Sequence, residues 1–189
     1  MIAGVDEVGR GPLAGPVYAC AVIFPCGYFH PAVRDSKKLS PEVRTDLAGI
    51  LQNSATALRI GQASPAEVDR INIRQASLLA MQRAITNLPV QPDFILVDGC
   101  DLPEFRVPAK AVVQGDDKSF TIAAASIVAK VLRDDLMRKM HQRYPGYGLD
   151  CNKGYGTAQH IAALKSLGPT PLHRQTFITK IIFQSGVVR

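Results

Sequence analysis

The chain has 189 residues, 47% hydrophobic and 20% charged, the composition of one ordinary globular domain and not of a disordered or fibrous chain. No apolar run approaches the ~18 residues of a membrane span, the N-terminus lacks the basic-then-apolar order of a signal peptide, and Cys20, Cys26, Cys100 and Cys151 show neither C-x-x-C spacing nor paired histidines, so reduced thiols in a cytoplasmic protein are expected. The net charge of +6 is unevenly placed: residues 130–189 hold ten Lys/Arg against three Asp/Glu, and residues 1–129 hold twelve against thirteen. That balance suits a solvated basic surface or a polyanion-binding segment.

Ile2 to Val5 predicts a short strand running into Asp6-Glu7. Gly9 to Pro16, with three Gly and two Pro, predicts a turn, and Val17 to Phe24 a second strand antiparallel to the first. Ser40-Pro41-Glu42 opens a helix to about Asn53, with Val43, Leu47, Ile50 and Leu51 on one face. Leu58 to Ala63 predicts a third strand. Ser64-Pro65-Ala66-Glu67 is a capping box, and a longer helix covers roughly Ile73 to Leu88, ended by Pro89 and Pro92. Phe94 to Asp98 reads as a buried strand, Val107 to Val113 as another, and Ser119 to about His141 as the longest helix, supported by Asp134/Arg138 and Asp135/Lys139 pairs. Beyond Gly146 come a loop, a helix from about Thr157 to Ser166, and a basic tail. These elements predict a mixed α/β sheet whose strand order the pattern leaves open.

The chemistry concentrates in few places. Asp6 and Glu7 are like charges at the end of an apolar strand, which repel unless a cation offsets them. Neighbouring strand side chains point to opposite faces, so the pair can share a metal only if the strand ends or bulges there. Asp98-Gly99 is a turn signal or a carboxylate at a strand end; Asp116 and Asp117 are helix caps or ligands. Arg10 between Gly9 and Gly11 is not needed for a tight hairpin. Asp35-Ser36-Lys37-Lys38-Leu39 carries paired lysines suited to phosphates. Asn152-Lys153-Gly154-Tyr155-Gly156-Thr157 sets an aromatic ring between glycines, where it is surface filler or a stacking platform. His173-Arg174 says little alone.

Taken in order, these segments resemble one family, the type 2 ribonucleases H (ribonuclease HII). The matching motifs are Asp6 to Gly11, Asp35 to Leu39, Asp98 at a strand end, Gly115-Asp116, Ala123 to Asp134, Lys153 to Thr157, and His173-Arg174. They span nearly the whole chain. Type 3 relatives carry Lys where Arg10 stands and an additional N-terminal domain, so type 2 is the better match. The resemblance implies a single catalytic domain over residues 1–189 with an RNase H-like fold: a five-stranded mixed sheet, flanking helices and a basic helical C-terminal extension from about residue 142. It implies a monomeric endoribonuclease acting on RNA–DNA hybrids and cutting 5′ to single ribonucleotides embedded in duplex DNA, leaving 3′-OH and 5′-phosphate ends. Asp6, Glu7, Asp98 and Asp116 would hold the divalent cation, Mn²⁺ or Mg²⁺, and act in catalysis. Gly9, Arg10 and Gly11 would read the ribose 2′-OH and Tyr155 the RNA–DNA junction. Lys37, Lys38, Lys130 and Arg174 are expected to bind substrate as well. Gln175-Thr176 depart from the family, where many members have a basic residue and Ser. Two other readings are a non-catalytic nucleic-acid binder, which the four carboxylates argue against, and a small-molecule phosphatase, which lacks a Gly-rich phosphate loop here.

Overall fold

The computed structural model describes residues 1–33 and 39–183, the side chains of Lys180 and Phe183 excepted. Five strands, β1 (Ile2–Val8), β2 (Val17–Ile23), β3 (Ala57–Ala63), β4 (Phe94–Asp98) and β5 (Ala109–Val112), form one sheet in the order β3-β2-β1-β4-β5. β2 is antiparallel to β1 and β3, whereas β1, β4 and β5 run parallel. The sheet is therefore mixed, as the alternation of strands and helices predicts.

Both faces are covered, which is why β1, β2 and β4 read as nearly continuous apolar runs. Along β2, Val17, Ala19, Ala21 and Ile23 pack on one face with Val68, Ala76, Ala80 and Ala84 of α2 (Pro65–Thr86). The alternate residues Cys20 and Val22 pack on the other, with Leu47 and Leu51 of α1 (Pro41–Ser54) and Ala124, Ile127 and Val128 of the longest helix, α4 (Phe120–Arg143). A third cluster joins Met137 on α4 to Leu149 of α5 (Leu149–Asn152), Leu164 of α6 (Ala158–Leu167) and Ile178 of α7 (Gln175–Phe183), with Ala14 from the β1–β2 turn. The C-terminal helices thus dock on the end of α4 and on that turn.

The caps lie where Ser and Thr predict them. Ser40 accepts from the Val43 N–H, Thr157 from the His160 N–H, and Ser64 and Glu67 complete a capping box. Asn72 breaks α2 with φ 66°, and its side chain accepts from the Gln75 N–H, so the capping box and the helix beginning near Ile73 are separate helical segments. Several details differ from the sequence reading. Val43 and Ile50 are largely exposed, because α1 buries only the narrower Leu47-Ala48-Leu51 stripe. On α4 the ion pairs are Lys130–Asp134 and Asp135–Arg138, not the predicted Asp134–Arg138 and Asp135–Lys139. β5 is shorter than predicted because Val107 and Pro108 only lead into it. No two cysteines are bonded, and no described helix is long and apolar enough to cross a membrane.

Candidate active site

β1 does not end at Asp6. Its antiparallel register with β2 continues without a bulge through Asp6↔Cys20, Glu7↔Ala19 and Val8↔Tyr18, while its parallel pairing with β4 stops at Val5↔Val97. The condition expected for a shared metal, a strand end or bulge at Asp6-Glu7, is not met; what changes there is the loss of β4 as a neighbour. Past Val5 the β1 edge is released from β4, and Asp98 closes β4 one position beyond Val97. Asp98 Oδ1 accepts the Gly115 N–H at 2.7 Å, which ties β4 to α3 (Gly115–Lys118) and brings Asp116, next along the chain, to the same end of the sheet.

The three carboxyls Asp6, Glu7 and Asp98 feel one another. Asp6 is 5% exposed. Burial pushes its pKa well above the ordinary value, and the charges of Glu7 and Asp98 push it further; the Ser126 hydroxyl and the Glu7 N–H, 2.7 Å from Oδ1, oppose the rise. Glu7 is also raised, mainly by burial, even though Arg10 donates to its Oε1 at 3.1 Å. Among the described residues no three His, Cys, Asp or Glu side chains converge closely enough to enclose an ion. A divalent cation nevertheless fits the donor chemistry. The donors are hard carboxylate oxygens, and two of the carboxyls are held with pKa values raised by burial and by the charge of Asp98, the disfavoured charge that a cation offsets.

α4 runs along β1 above this centre. Ser126, Lys130 and Arg133 recur at helical spacing; Ser126 meets Asp6, and Arg133 lies under Gly9. Lys130 is on that side but donates to Asp134 at 2.8 Å. Gly9 has φ +90°, and a Cβ there would collide with the Arg133 guanidinium, so only glycine fits on both counts.

Two buried arginines build the recognition loops. Arg133, 0% exposed, donates to the carbonyls of Pro16 (3.0 Å), Lys153 (3.1 Å) and Ala14 (3.1 Å). Arg174, also 0% exposed, donates to Gly15 (3.0 and 2.8 Å), Arg10 (2.7 Å) and Gly9 (2.5 Å). Burial lowers both pKa values, that of Arg174 to about 10, with Arg133 adding to the drop. This corrects the expectation for Arg174: its donors face backbone carbonyls, so it shapes the turn and does not reach a duplex. It also tempers the charge argument, since two of the ten basic residues in the last third are interior.

The turn and the Tyr155 loop meet. The Leu13 and Ala14 N–H groups donate to the Gly154 carbonyl at 2.8 and 3.3 Å. Gly154 has φ +88°, and a Cβ there would strike the Ala14 carbonyl. The Tyr155 ring, 41% exposed, lies 3.7 Å from where a Gly11 side chain would begin. Gly9, Arg10, Gly11 and Tyr155 are therefore one surface. Lys37 and Lys38 lie outside the described residues. Sequence reasoning passed over Ser126, Arg133 and His160. The available signal was the polar side of α4 at 126, 130 and 133. A cavity of about 750 Å³ between the end of α2 and Glu104–Val107 includes none of these residues.

Comparison with known proteins gives the family and the fold. Residues 3–184 match the family model described as Ribonuclease HII. The chain is 55% identical over 178 residues to ribonuclease HII of Chlamydia caviae, covering 94% of this chain and 84% of that protein. It is 52% identical over 176 residues to that of Geobacter metallireducens, covering 93% and 83%. The solved ribonuclease H2 of Pyrococcus horikoshii superposes with a TM-score of 0.83 at 26% identity, covering 99% of each chain, which makes the fold RNase H-like. With the acidic strand ends, the Gly-Arg-Gly turn and the apposed tyrosine in place, the chain belongs to the ribonuclease HII family, metal-dependent endoribonucleases with ribonuclease H activity on RNA–DNA hybrids.

Proposed function

We propose that the protein cuts on the 5′ side of single ribonucleotides embedded in duplex DNA, besides cleaving RNA in hybrids. The observation that carries this reading is the apposition of Gly11 and the Tyr155 ring on a surface open to solvent. The Gly9–Gly11 backbone offers N–H and C=O groups to a 2′-OH, the group that separates RNA from DNA. The exposed ring beside it packs on the following sugar, where a missing 2′-OH leaves room and a ribose crowds it. Arg10, with its side chain 54% exposed and paired to Glu7, links this surface to the acidic centre.

Asp6, Glu7, Asp98 and Asp116 would hold the divalent cations, Mg²⁺ or Mn²⁺. Held there as a pair, the cations would supply activation of a water and stabilisation of the leaving 3′-oxygen. The protein's own contribution is to hold the carboxyls at released strand ends and to present the loops that orient the ribose.

Tyr155→Ala tests the reading. The rate ratio for a duplex with one ribonucleotide over a duplex with a continuous RNA strand should fall about tenfold, equivalent to about 1.4 kcal/mol and within the range of a lost aromatic stack. Equal slowing on both substrates, or on neither, would make Tyr155 an ordinary loop residue.

A further inference from the structure

The consecutive residues His173 and Arg174 reach different recognition segments. Arg174 holds the Gly9–Gly15 turn, as described. His173 points the other way, into a buried relay. The Thr170 N–H donates to His173 Nδ1 at 3.0 Å, His173 Nε2 meets His160 Nε2 at 3.0 Å, and His160 Nδ1 meets the Tyr155 carbonyl at 2.9 Å. The end partners fix every proton. A carbonyl only accepts, so His160 Nδ1 carries a hydrogen; a backbone N–H only donates, so His173 Nδ1 carries none. With both rings neutral, His173 Nε2–H donates to His160 Nε2. One more proton on either ring would set two donors face to face. In keeping with this, burial lowers both histidine pKa values, that of His173 to about 4 with His160 contributing. Tyr147 packs against both rings, at 5.0 Å from His173 and 6.2 Å from His160. The Thr157 N–H also donates to the Tyr155 carbonyl at 2.9 Å, and the Tyr155 N–H donates to the Asn152 carbonyl at 2.9 Å.

We propose that His160, with its tautomer set by His173, is a positioning residue that fixes the Tyr155 segment against the Gly9–Gly11 turn. The His160–Tyr155 contact then sets the register between the two recognition segments, and with it the preference for a ribonucleotide–deoxyribonucleotide junction over continuous RNA. The selectivity half of this proposal rests on the junction-reading role of Tyr155; the positioning half does not. His173 also pairs with Ala14 in an isolated β-bridge, and the Arg174 N–H donates to the Leu13 carbonyl at 2.8 Å, so the residue that sets the His160 tautomer lies directly on that turn.

Two variants of the full chain separate positioning from packing. In His160→Asn the amide nitrogen stands where Nδ1 does and still donates to Tyr155. In His160→Gln the amide stands where Nε2 does, meets His173 and leaves Tyr155 unheld. Ring-nitrogen NMR of the unsubstituted protein at neutral pH should show His160 protonated on Nδ1 and His173 on Nε2. Amide exchange at Thr157 should rise at least about tenfold in His160→Gln and under about threefold in His160→Asn. The single-ribonucleotide to continuous-RNA ratio should fall at least about fivefold in His160→Gln only, about 1 kcal/mol. A proton on His160 Nε2, or equal exchange and equal ratios in the two variants, would overturn the positioning role. Faster Thr157 exchange with an unmoved ratio would overturn the selectivity half. Tyr155→Ala then shows where the failure lies: an unchanged ratio there as well removes the tyrosine's own role, whereas a changed one removes only the histidines' part in it.

Discussion

Asp6→Asn should reduce hybrid cleavage by at least about a thousandfold and, in chelator, should raise the melting temperature of the same protein. The first effect exceeds the 10²–10³-fold typical of one lost electrostatic donor, because Asp6 would be both ligand and charge at the centre. The second follows from the field around it. Burial, then Glu7, then Asp98 lift the Asp6 pKa above its ordinary 3.8. A carboxyl raised in this way holds its proton more tightly folded than unfolded, so the folded state loses stability as pH climbs from the ordinary carboxylate value through the raised one. The amide removes that cost and keeps one oxygen to accept the Glu7 N–H. A divalent cation bound only by the folded protein stabilises it by about 2.7 kcal/mol at a hundredfold excess over its Kd. Melting curves with and without Mg²⁺ or Mn²⁺ should therefore rise for the unsubstituted protein and respond less for Asp6→Asn. A variant that melts lower in chelator and still cleaves would refute both parts.

Arg174→Ala should be among the most destabilising single substitutions in the chain. It orphans the carbonyls of Gly9, Arg10 and Gly15, the first and last of which lie in buried residues. At about 1–3 kcal/mol for each buried acceptor left unpaired, the loss is about 4 kcal/mol or more. Against a total stability of roughly 5–15 kcal/mol that is a large fraction, and at about 2–4 °C per kcal/mol it moves the melting temperature by roughly 10 °C. Loss of the ring contact with Phe177, whose centroid is 5.2 Å from the guanidinium carbon, acts in the same direction. Arg10→Ala supplies the contrast. Its exposed pair with Glu7 is worth about 0–1 kcal/mol, so that variant should melt within a few degrees of the parent. Thermal denaturation of both variants side by side checks this, and a small shift for Arg174→Ala would show that the turn holds itself.

Much of the fold was legible because its signals are local. The apolar run of β2, the caps at Ser40 and Ser64, and the separation of the Ser64 capping box from the helix beginning near Ile73 all lie within a few residues of their cause. The acidic centre was legible as composition but not as geometry. That β1 pairs with β2 through Val8 while leaving β4 at Val5 depends on partners ten and more residues away. The sequence reading expected Arg174 to bind substrate. Only the fold shows four donor contacts with carbonyls about 160 residues earlier in the chain. His160 was invisible for the same reason: on an α6 turn it is one polar residue among apolar ones, and its meaning appears only opposite His173. The Thr176 departure likewise makes sense in three dimensions, since its hydroxyl and N–H both donate to Asp69, at 2.6 and 2.9 Å, at the start of α7.

The most direct measurement of the central claim uses one end-labelled DNA duplex holding a single ribonucleotide, incubated with the purified chain in Mg²⁺, in Mn²⁺ and in excess chelator. The account predicts one cut, 5′ to the ribonucleotide, with 3′-OH and 5′-phosphate ends, present with either or both cations and absent in chelator. Full cleavage in chelator would contradict it. So would a 2′,3′-cyclic phosphate end, since that product requires the 2′-OH itself to attack the phosphorus, where the account has it only recognised.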